Sequence, residues 1–198
     1  MAAKSTLRNM VLCLTAVCLV CAALLGCVYA VTYEPIKAAN ENILKASIGQ
    51  VLPEGSEISE LQTLETDNGT FEYYTASQDG KVTAYAVKSA TVGFGGPLSL
   101  MVGVLSDGSV YNTAVLACNE TPGLGAKCQD AKSQFRKQFE GLAADKTLKV
   151  TKDGGDIDAI TASTITSRAY TKAVKQAVDA VAAIQTNVSV NSEEDTNE

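Results

Sequence analysis

Hydroxyl side chains are concentrated in one short stretch of the chain. Five of them lie within seven positions: Thr161, Ser163, Thr164, Thr166 and Ser167. This hydroxyl cluster, residues 161–167, follows a glycine-bearing loop at residues 153–156 and precedes an alanine- and valine-rich segment typical of a helix. A helix start presents unpaired N–H groups and a positive dipole end, which favour an anion such as phosphate. The alternative is a helix start with more capping side chains than it needs.

Two glycine-bearing loops come earlier in the chain. Residues 93–96 read Gly-Phe-Gly-Gly, and three glycines in four residues let a backbone come close to a flat ligand. Residues 120–125 read Glu-Thr-Pro-Gly-Leu-Gly, with Lys127 just beyond them. Each loop alone is as typical of a bulge or of an ordinary connecting turn. The three stretches therefore predict one site only if the fold brings them together.

The composition excludes several kinds of chemistry. The 198 residues include no histidine, which removes the Ser-His-Asp and Cys-His nucleophile arrangements and the commonest zinc ligand. The formal net charge of −6 argues against a nucleic-acid surface, which needs basic patches. With 46% hydrophobic residues, the chain can pack one domain of ordinary size. We expect chemistry that depends on a cofactor, or on carboxylate, lysine, tyrosine, hydroxyl or thiol groups.

The N-terminal segment predicts a membrane anchor. Residues 9–33 are 25 consecutive positions without a charge, which is longer than a signal-peptide core and long enough to cross a bilayer. Lys4 and Arg8 precede the segment, so the positive-inside tendency places the N-terminus in the cytoplasm and the rest outside. The expected location is a single pass through the inner (cytoplasmic) membrane. A lipoprotein cleavage site at Cys27 is the alternative, with a poorer fit to its pattern.

The cysteines form two groups. Four lie in the apolar segment, where we expect them to act as small hydrophobic side chains: Cys13, Cys18, Cys21 and Cys27. Cys118 and Cys128 flank the loop that contains residues 120–125, and an oxidising compartment would allow them to form a disulfide.

Downstream of the anchor, the periodicity predicts an antiparallel sheet with helices before, within and after it. Strands joined in part by tight Asp-Gly turns are predicted at residues 70–77, 82–91, 98–105, 110–117 and 147–151. Helices are predicted at residues 34–50, 127–139 and 168–185. Strands and helices do not alternate, which argues against a Rossmann domain. The predicted fold class is α+β, with an antiparallel sheet flanked by helices behind one N-terminal transmembrane helix.

These elements divide the chain into four parts. Residues 1–33 are expected to be the cytoplasmic N-terminus and transmembrane anchor, and residues 34–52 a helical stalk. Residues 53–185 are expected to form an extracytoplasmic domain. The tail at residues 186–198 is acidic with few apolar residues, and is predicted to be disordered.

The three motifs, in this order behind a single apolar segment, resemble the covalent-FMN domain of the G subunit of the Rnf ion-translocating electron-transport complex. The same domain occurs in the C subunit of the sodium-pumping NADH:quinone reductase. The resemblance covers most of residues 33–185, and the modest length suits the Rnf G subunit better. It implies FMN joined through its phosphate to a threonine hydroxyl, in a pattern that normally reads Asp-x-x-Ser/Thr-Gly-Ala-Thr.

On this resemblance Thr164 is the acceptor, and Asp158 is the acid that the flavin transferase reads. Ala162 and Ser163 stand where the pattern has glycine and alanine, and Ser163 adds a competing hydroxyl beside the acceptor. The full set of expected cofactor-binding residues is Thr164, Asp158, Thr161, Ser163, Gly95, Gly96, Glu120, Thr121, Leu124 and Lys127. No catalytic residue and no metal ligand is expected.

The resemblance implies an electron-carrying protein that is part of a complex and is not a complete enzyme alone. The complex would couple ferredoxin oxidation and NAD reduction to sodium or proton movement. Expected partners are the other membrane and peripheral subunits, and the flavin transferase during maturation, with no nucleic acid. Two alternatives stay open at this point: the C subunit of the sodium-pumping reductase, and an extracytoplasmic binding or structural domain without a redox role.

Overall fold

The computed structural model describes residues 6–66 and 69–194, with the backbone alone described for residues 187–194. The chain separates into two compact units, Met1–Asn42 and Ile43–Glu198, which are described one at a time. The first helix, α1 (Leu7–Val51), contributes to both. Within the first unit its apolar side chains are exposed, among them Leu14, Leu19 and Leu25. By length and composition this helix could cross a membrane.

The second unit is built on an antiparallel sheet that has six strands within the described residues. The strands are β1 (Glu57–Ile58), β2 (Gln62–Thr66), β3 (Gly69–Gln78), β4 (Lys81–Val92), β5 (Pro97–Leu105) and β6 (Val110–Cys118). Their order is β1-β3-β4-β5-β6, and β2 also pairs with β3. Register shifts in the β3–β4 and β5–β6 pairings mark bulges, which increase the local twist and curl the sheet. The predicted antiparallel α+β fold is confirmed.

Strand β5 is buried on both faces, as its apolar sequence predicts. Alternate side chains point to opposite faces, so Leu100 and Val102 join the larger core while Met101 joins a smaller one. The smaller core contains Ile48 and Val51 from the last turns of α1. The larger core packs one face of the sheet against the long C-terminal helix.

That helix, α3 (Thr164–Glu194), starts four residues before the predicted start at Arg168. Thr166 and Ser167 therefore lie in its first turn and are not residues that cap it from outside. The helix also continues through residues 186–194, which were expected to be part of a disordered tail. Residues 195–198 of that tail lie outside the described residues.

The helix predicted at residues 127–139 is wrong. The structure has a short 3₁₀ helix at Gly125–Gln129 and one turn of helix, α2 (Gln134–Lys137). Between them Asp130 is extended, and its carboxylate accepts a hydrogen bond from the Lys132 N–H at 2.9 Å. Such a local side-chain bond gives the backbone an alternative to the helix.

The strand predicted at residues 147–151 is also wrong. Its backbone bonds go to the loop that follows, so the segment does not join the sheet: the Ile157 N–H donates to the Lys149 carbonyl at 3.1 Å. The Thr151 N–H donates to the Ile157 carbonyl at 2.8 Å. A 3₁₀ turn, Thr151–Asp153, follows directly. The loop at residues 153–156 is thereby fixed beside the start of α3.

Candidate cofactor site at the start of helix α3

The start of α3 is held by a buried serine. The Ser167 hydroxyl accepts from the Ile160 N–H and donates to the Ser163 carbonyl, both at 2.9 Å. The Ser167 N–H also donates to the Ser163 carbonyl at 3.0 Å, which is the first hydrogen bond of the helix. By helix geometry, the N–H groups of the first residues after Ser163 have no intrahelical partner. The segment 160–163 is therefore fixed while the amides at the helix start stay free to meet a ligand.

Ala162 adopts a left-handed backbone with φ of +61°. For an L-residue this conformation costs about 1–2 kcal/mol, because Cβ crowds the next carbonyl. Glycine, the usual residue of the resembled pattern, has no such penalty. The position of Ala162 is therefore one where the turn into α3 requires a positive φ.

A single carboxylate joins the three loops named in the sequence. Glu120 is buried, with 7% of its surface exposed. One of its oxygens accepts from the Phe94 N–H at 2.7 Å, and the other accepts from the Thr166 hydroxyl at 2.8 Å. Glu120 thus links the turn between β4 and β5, the loop after β6, and the first turn of α3.

Glycines make room for this carboxylate. A Cβ at Gly93 would lie 2.0 Å from the nearer Glu120 oxygen, and a Cβ at Gly125 would lie 2.7 Å from the other. Gly95 packs on the backbone of residue 119, where a Cβ would lie 2.2 Å from the carbonyl oxygen. Gly96 has a φ of +138° and faces the side chain of the same residue. These close approaches are within the protein, whereas Gly95 and Gly96 were expected to face a ligand.

A cavity of about 390 Å³ opens where the three loops meet, and we call it the threonine cavity. Its volume lies within the range of small-molecule sites, roughly 300–1,000 Å³. It is lined by Phe94, Glu120, Thr121, Leu124, Gly125, Ala162, Ser163, Thr164, Ile165 and Thr166. The apolar side chains of Phe94, Leu124 and Ile165 are substantially exposed to solvent, although they lie beside a well-packed core. Exposed apolar groups at the edge of a cavity are typical of a ligand site.

A second cavity of about 440 Å³, which we call the aspartate cavity, is lined by Lys127, Asp158 and Thr161 together with residues from the α2 region. Asp158 is exposed, and its backbone is fixed by the Gln138 side chain. The Asp158 N–H donates to the Gln138 amide oxygen at 2.7 Å, and the amide nitrogen donates back to the Asp158 carbonyl at 3.1 Å. Of the ten residues expected to surround one ligand, these three line a different cavity from Thr164.

The cation beside Thr164 is Lys152. Its ammonium donates to the Thr164 hydroxyl at 3.3 Å. Arg168 is nearby but pairs with Asp153 through two bonds of 2.6 and 2.7 Å, and these hydrogen bonds lower the pKa of the Asp153 carboxyl. Lys127 lines the aspartate cavity, so the lysine that contacts Thr164 is Lys152, which directly precedes the loop at residues 153–156.

Sequence reasoning also missed several residues at the threonine cavity. Phe94, Ile165 and Thr166 lay inside the motifs but were not chosen as site residues. Their apolar or hydroxyl character was visible in the sequence, but the Glu120 hydrogen bonds that join Phe94 to Thr166 were not. Lys152 carried no local signal, because only the loop that follows it places it beside Thr164.

Residues 93–179 match the family model described as an FMN-binding domain. That range contains every residue that lines the threonine cavity. The site therefore lies within the FMN-binding domain, and the chain is of the FMN-binding class.

The chain is 36% identical over 171 residues to the G subunit of the proton-translocating ferredoxin:NAD(+) oxidoreductase complex of Clostridium ljungdahlii, covering 85% of this chain and 88% of the relative. It is 38% identical over 175 residues to the G subunit of the ion-translocating oxidoreductase complex of Shewanella baltica, covering 81% and 82%. The chain therefore belongs to the G-subunit family of ion-translocating oxidoreductase complexes. A solved structure of the C subunit of the Na(+)-translocating NADH-quinone reductase from Parabacteroides distasonis is 21% identical, covers 68% of this chain and 78% of that chain, and has a TM-score of 0.45. A likeness at that level supports no conclusion.

Proposed function

We propose that this protein is a membrane-anchored flavoprotein that relays electrons, as one of the subunits, in an Rnf-type ferredoxin:NAD oxidoreductase complex coupled to sodium or proton translocation. The observation that carries the proposal is the position of Thr164, at the first turn of α3 and in a cavity of an FMN-binding domain. Both relatives described above are named as G subunits, which favours this assignment over the C-subunit alternative.

Thr164 holds FMN covalently through a phosphoester to its hydroxyl. The free amides at the start of α3 and the Lys152 ammonium supply the positive potential that a phosphate needs. Thr164 is partly exposed, whereas Ser163 is buried. The Ser163 carbonyl also accepts two hydrogen bonds from Ser167, which fix that residue in place. This contrast favours Thr164 over Ser163 as the acceptor.

The remaining lining groups suit a flat apolar ring. Phe94, Leu124 and Ile165 offer exposed apolar surface at the cavity edge, and Glu120 fixes the loops that carry them. When bound, the isoalloxazine supplies the electron chemistry, and the protein supplies orientation and a covalent hold. The absence of histidine from the sequence is no obstacle to such a carrier.

The apolar N-terminal helix anchors the protein as a single pass in the inner membrane, with the N-terminus in the cytoplasm and the FMN domain outside. Its partners are the other membrane and peripheral subunits of the complex. The flavin transferase reads Asp158 during maturation. An exposed Asp158 in the aspartate cavity supports that role, because a recognition residue must reach a partner protein and need not touch the flavin.

The test is in-gel fluorescence of the full-length protein from cells that also express a flavin transferase. A yellow-green band that survives SDS, together with one FMN added to the tryptic peptide that contains Thr164, is the expected result. A colourless band under these conditions would contradict covalent attachment. Labelling of a peptide without Thr164 would contradict the assigned acceptor.

A further inference from the structure

Two cysteines face each other beside the threonine cavity. Cys118 is the last residue of β6, and Cys128 lies in the 3₁₀ helix Gly125–Gln129. Their sulfur atoms are 3.7 Å apart, which is van der Waals contact, and neither sulfur is bonded to another. Cys128 is completely buried, while Cys118 is partly exposed. A disulfide of about 2.05 Å needs only a modest further approach of the two sulfur atoms.

The nine residues between them form one edge of the threonine cavity. This segment, residues 119–127, contributes Glu120, Thr121, Leu124 and Gly125 to the lining. Three backbone hydrogen bonds lie within it: the Leu124 and Ala126 N–H groups both donate to the Thr121 carbonyl at 3.2 Å, and the Lys127 N–H donates to the Leu124 carbonyl at 3.1 Å. The ends of the segment are joined by a weak bond of 3.4 Å from the Gln129 amide to the Cys118 carbonyl.

We propose that Cys118 and Cys128 are a disulfide-forming pair that staples the two ends of the 119–127 segment and so holds the edge of the threonine cavity. The staple would act on the segment that carries both Glu120 and Leu124. The disulfide would therefore restrain a segment that lines the proposed flavin site, although neither cysteine lines the cavity.

The reaction is a two-electron oxidation by an external disulfide, through thiol–disulfide exchange. The partly exposed Cys118 thiolate attacks the external disulfide, forming a mixed disulfide and releasing one thiolate. The Cys128 sulfur then loses its proton, attacks the Cys118 sulfur and releases the second thiolate. Both released thiolates take up the protons that the two cysteines give up, so two protein thiols become a disulfide and one external disulfide becomes two thiols.

The surroundings assign the order of the two steps. Burial, and then the neighbouring Cys118, raise the pKa of the Cys128 thiol to about 12. A buried thiol that keeps its proton is a poor first nucleophile. It also gives the reduced pair no stabilised thiolate, and a stabilised reduced form is what makes a disulfide easy to reduce. The supply of an oxidant in the cell rests on the extracytoplasmic location proposed above, because disulfides persist in such compartments.

The experiment uses the full-length protein with the four cysteines of the apolar segment replaced by alanine. Oxidised glutathione is added, free thiols are blocked, and the protein is digested with trypsin without reductant. Trypsin cleaves after Lys127, between the two cysteines. A disulfide then links the peptide of residues 89–127 to that of residues 128–132, and reductant separates them. A glutathione adduct on the peptide 89–127 that never gives way to the crosslink, or two cysteines that both carry the blocking group, would overturn the proposal.

The effect on the loop is read by amide hydrogen exchange of residues 119–127 before and after oxidation. We expect exchange to slow by about tenfold, because opening of the segment is now restrained at both ends. Cys118→Ser treated in the same way is the matched control and should not change. If the crosslink forms but exchange does not slow, the stapling role is wrong. Flavin fluorescence, measured on the same samples, reports separately on the proposed function, so a failure of one is not mistaken for a failure of the other.

Discussion

The two cavities on either side of the entry to α3 are built in different ways. The threonine cavity is assembled from three loops that the buried Glu120 side chain joins by hydrogen bonds, and Lys152 donates to the hydroxyl of the lining residue Thr164. The aspartate cavity lies against α2, with Asp158 and Thr161 exposed. On the proposed function, the threonine cavity holds the flavin and the aspartate cavity displays Asp158 to the transferase. Adjacent residues of one short motif can therefore have separate tasks, holding on one side and recognition on the other.

The sharpest test of this division substitutes one threonine on each side. Thr164→Val should abolish covalent flavin entirely, because the phosphoester has lost its oxygen. Thr161→Val, in the aspartate cavity, should leave flavin attached at a level near that of the unmodified protein. In-gel fluorescence and the mass of the 153–168 tryptic peptide give the measurement. Loss of label in Thr161→Val with retention in Thr164→Val would reverse the roles of the two sides.

Glu120→Ala should produce the next largest effect, on stability. The Phe94 N–H and the Thr166 hydroxyl would lose their acceptor in a buried position, at about 1–3 kcal/mol for each donor left unsatisfied. We expect the free energy of unfolding to fall by about 2–4 kcal/mol in total. Urea unfolding of the protein in detergent, followed by tyrosine fluorescence, measures this.

The control for Glu120→Ala comes from the other cavity. Lys127→Ala should change the free energy of unfolding by less than about 0.5 kcal/mol, as is usual for an exposed side chain. The loss in the free energy of unfolding for Glu120→Gln should lie between those two values, because the amide keeps one acceptor oxygen and the shape of the side chain. If Glu120→Ala unfolds like the Lys127 control, the three loops are held by something other than this carboxylate.

Two lysines allow a smaller test. Lys152→Met should slow flavin incorporation by roughly fivefold, since an exposed charge contributes modestly to holding a phosphate. Lys152→Arg should restore most of the rate, and added salt should reduce the difference. The rate is followed as fluorescence gained per minute with purified transferase. A larger effect of Lys127→Met than of Lys152→Met would contradict the placement of the phosphate.

The smallest expected effect is a gain in stability. Ala162→Gly relieves the cost of a left-handed alanine, partly offset by the backbone entropy of glycine, and should stabilise the protein by about 0.5–1 kcal/mol. Ala159→Gly, three residues earlier and without a positive φ, should destabilise it by a similar amount. Melting temperatures should move in opposite directions by roughly 2–4 °C. If both variants change the melting temperature in the same direction, the left-handed conformation of Ala162 does not destabilise the protein.

Most of the sheet was predictable because its signals are local. The turn at residues 78–81 uses Asp79 and Gly80, both with positive φ as an Asp-Gly hairpin requires. The turn after β5 is fixed by Asp107, which accepts hydrogen bonds from both the N–H and the hydroxyl of Ser109. These features need no information from distant parts of the chain.

The failed helix at residues 127–139 shows where local signals end. Phe135 and Phe139 have helical spacing, and both are buried as a helix would require. Phe135 lies in α2 and Phe139 in the turn directly after it. Arg136 between them is buried and donates to the carbonyls of Thr113 and Gln129. A buried arginine that depends on a strand 23 residues away cannot be anticipated from the periodicity of its own segment.

The candidate site divides along the same line. Motif order identified Thr164, Glu120, Thr121 and Leu124 as neighbours, and they do line one cavity. It could not tell which side of the entry to α3 each residue faces, and Asp158, Thr161 and Lys127 line the aspartate cavity instead. Lys127 was chosen for its charge alone, whereas the fold brings the ammonium of Lys152 to the Thr164 hydroxyl.

The hydrogen bonds of Glu120 relate the folding of the chain to the environment of the flavin. Its two bonds tie Phe94 to Thr166, so the threonine cavity has no counterpart in a chain whose sheet has not yet met its last helix. An incompletely folded chain would offer Thr164 on an open loop, with nothing around it to retain a ring. Because the proposed phosphoester survives unfolding, colour would report attachment, whereas shielding of the ring from solvent would report completed folding.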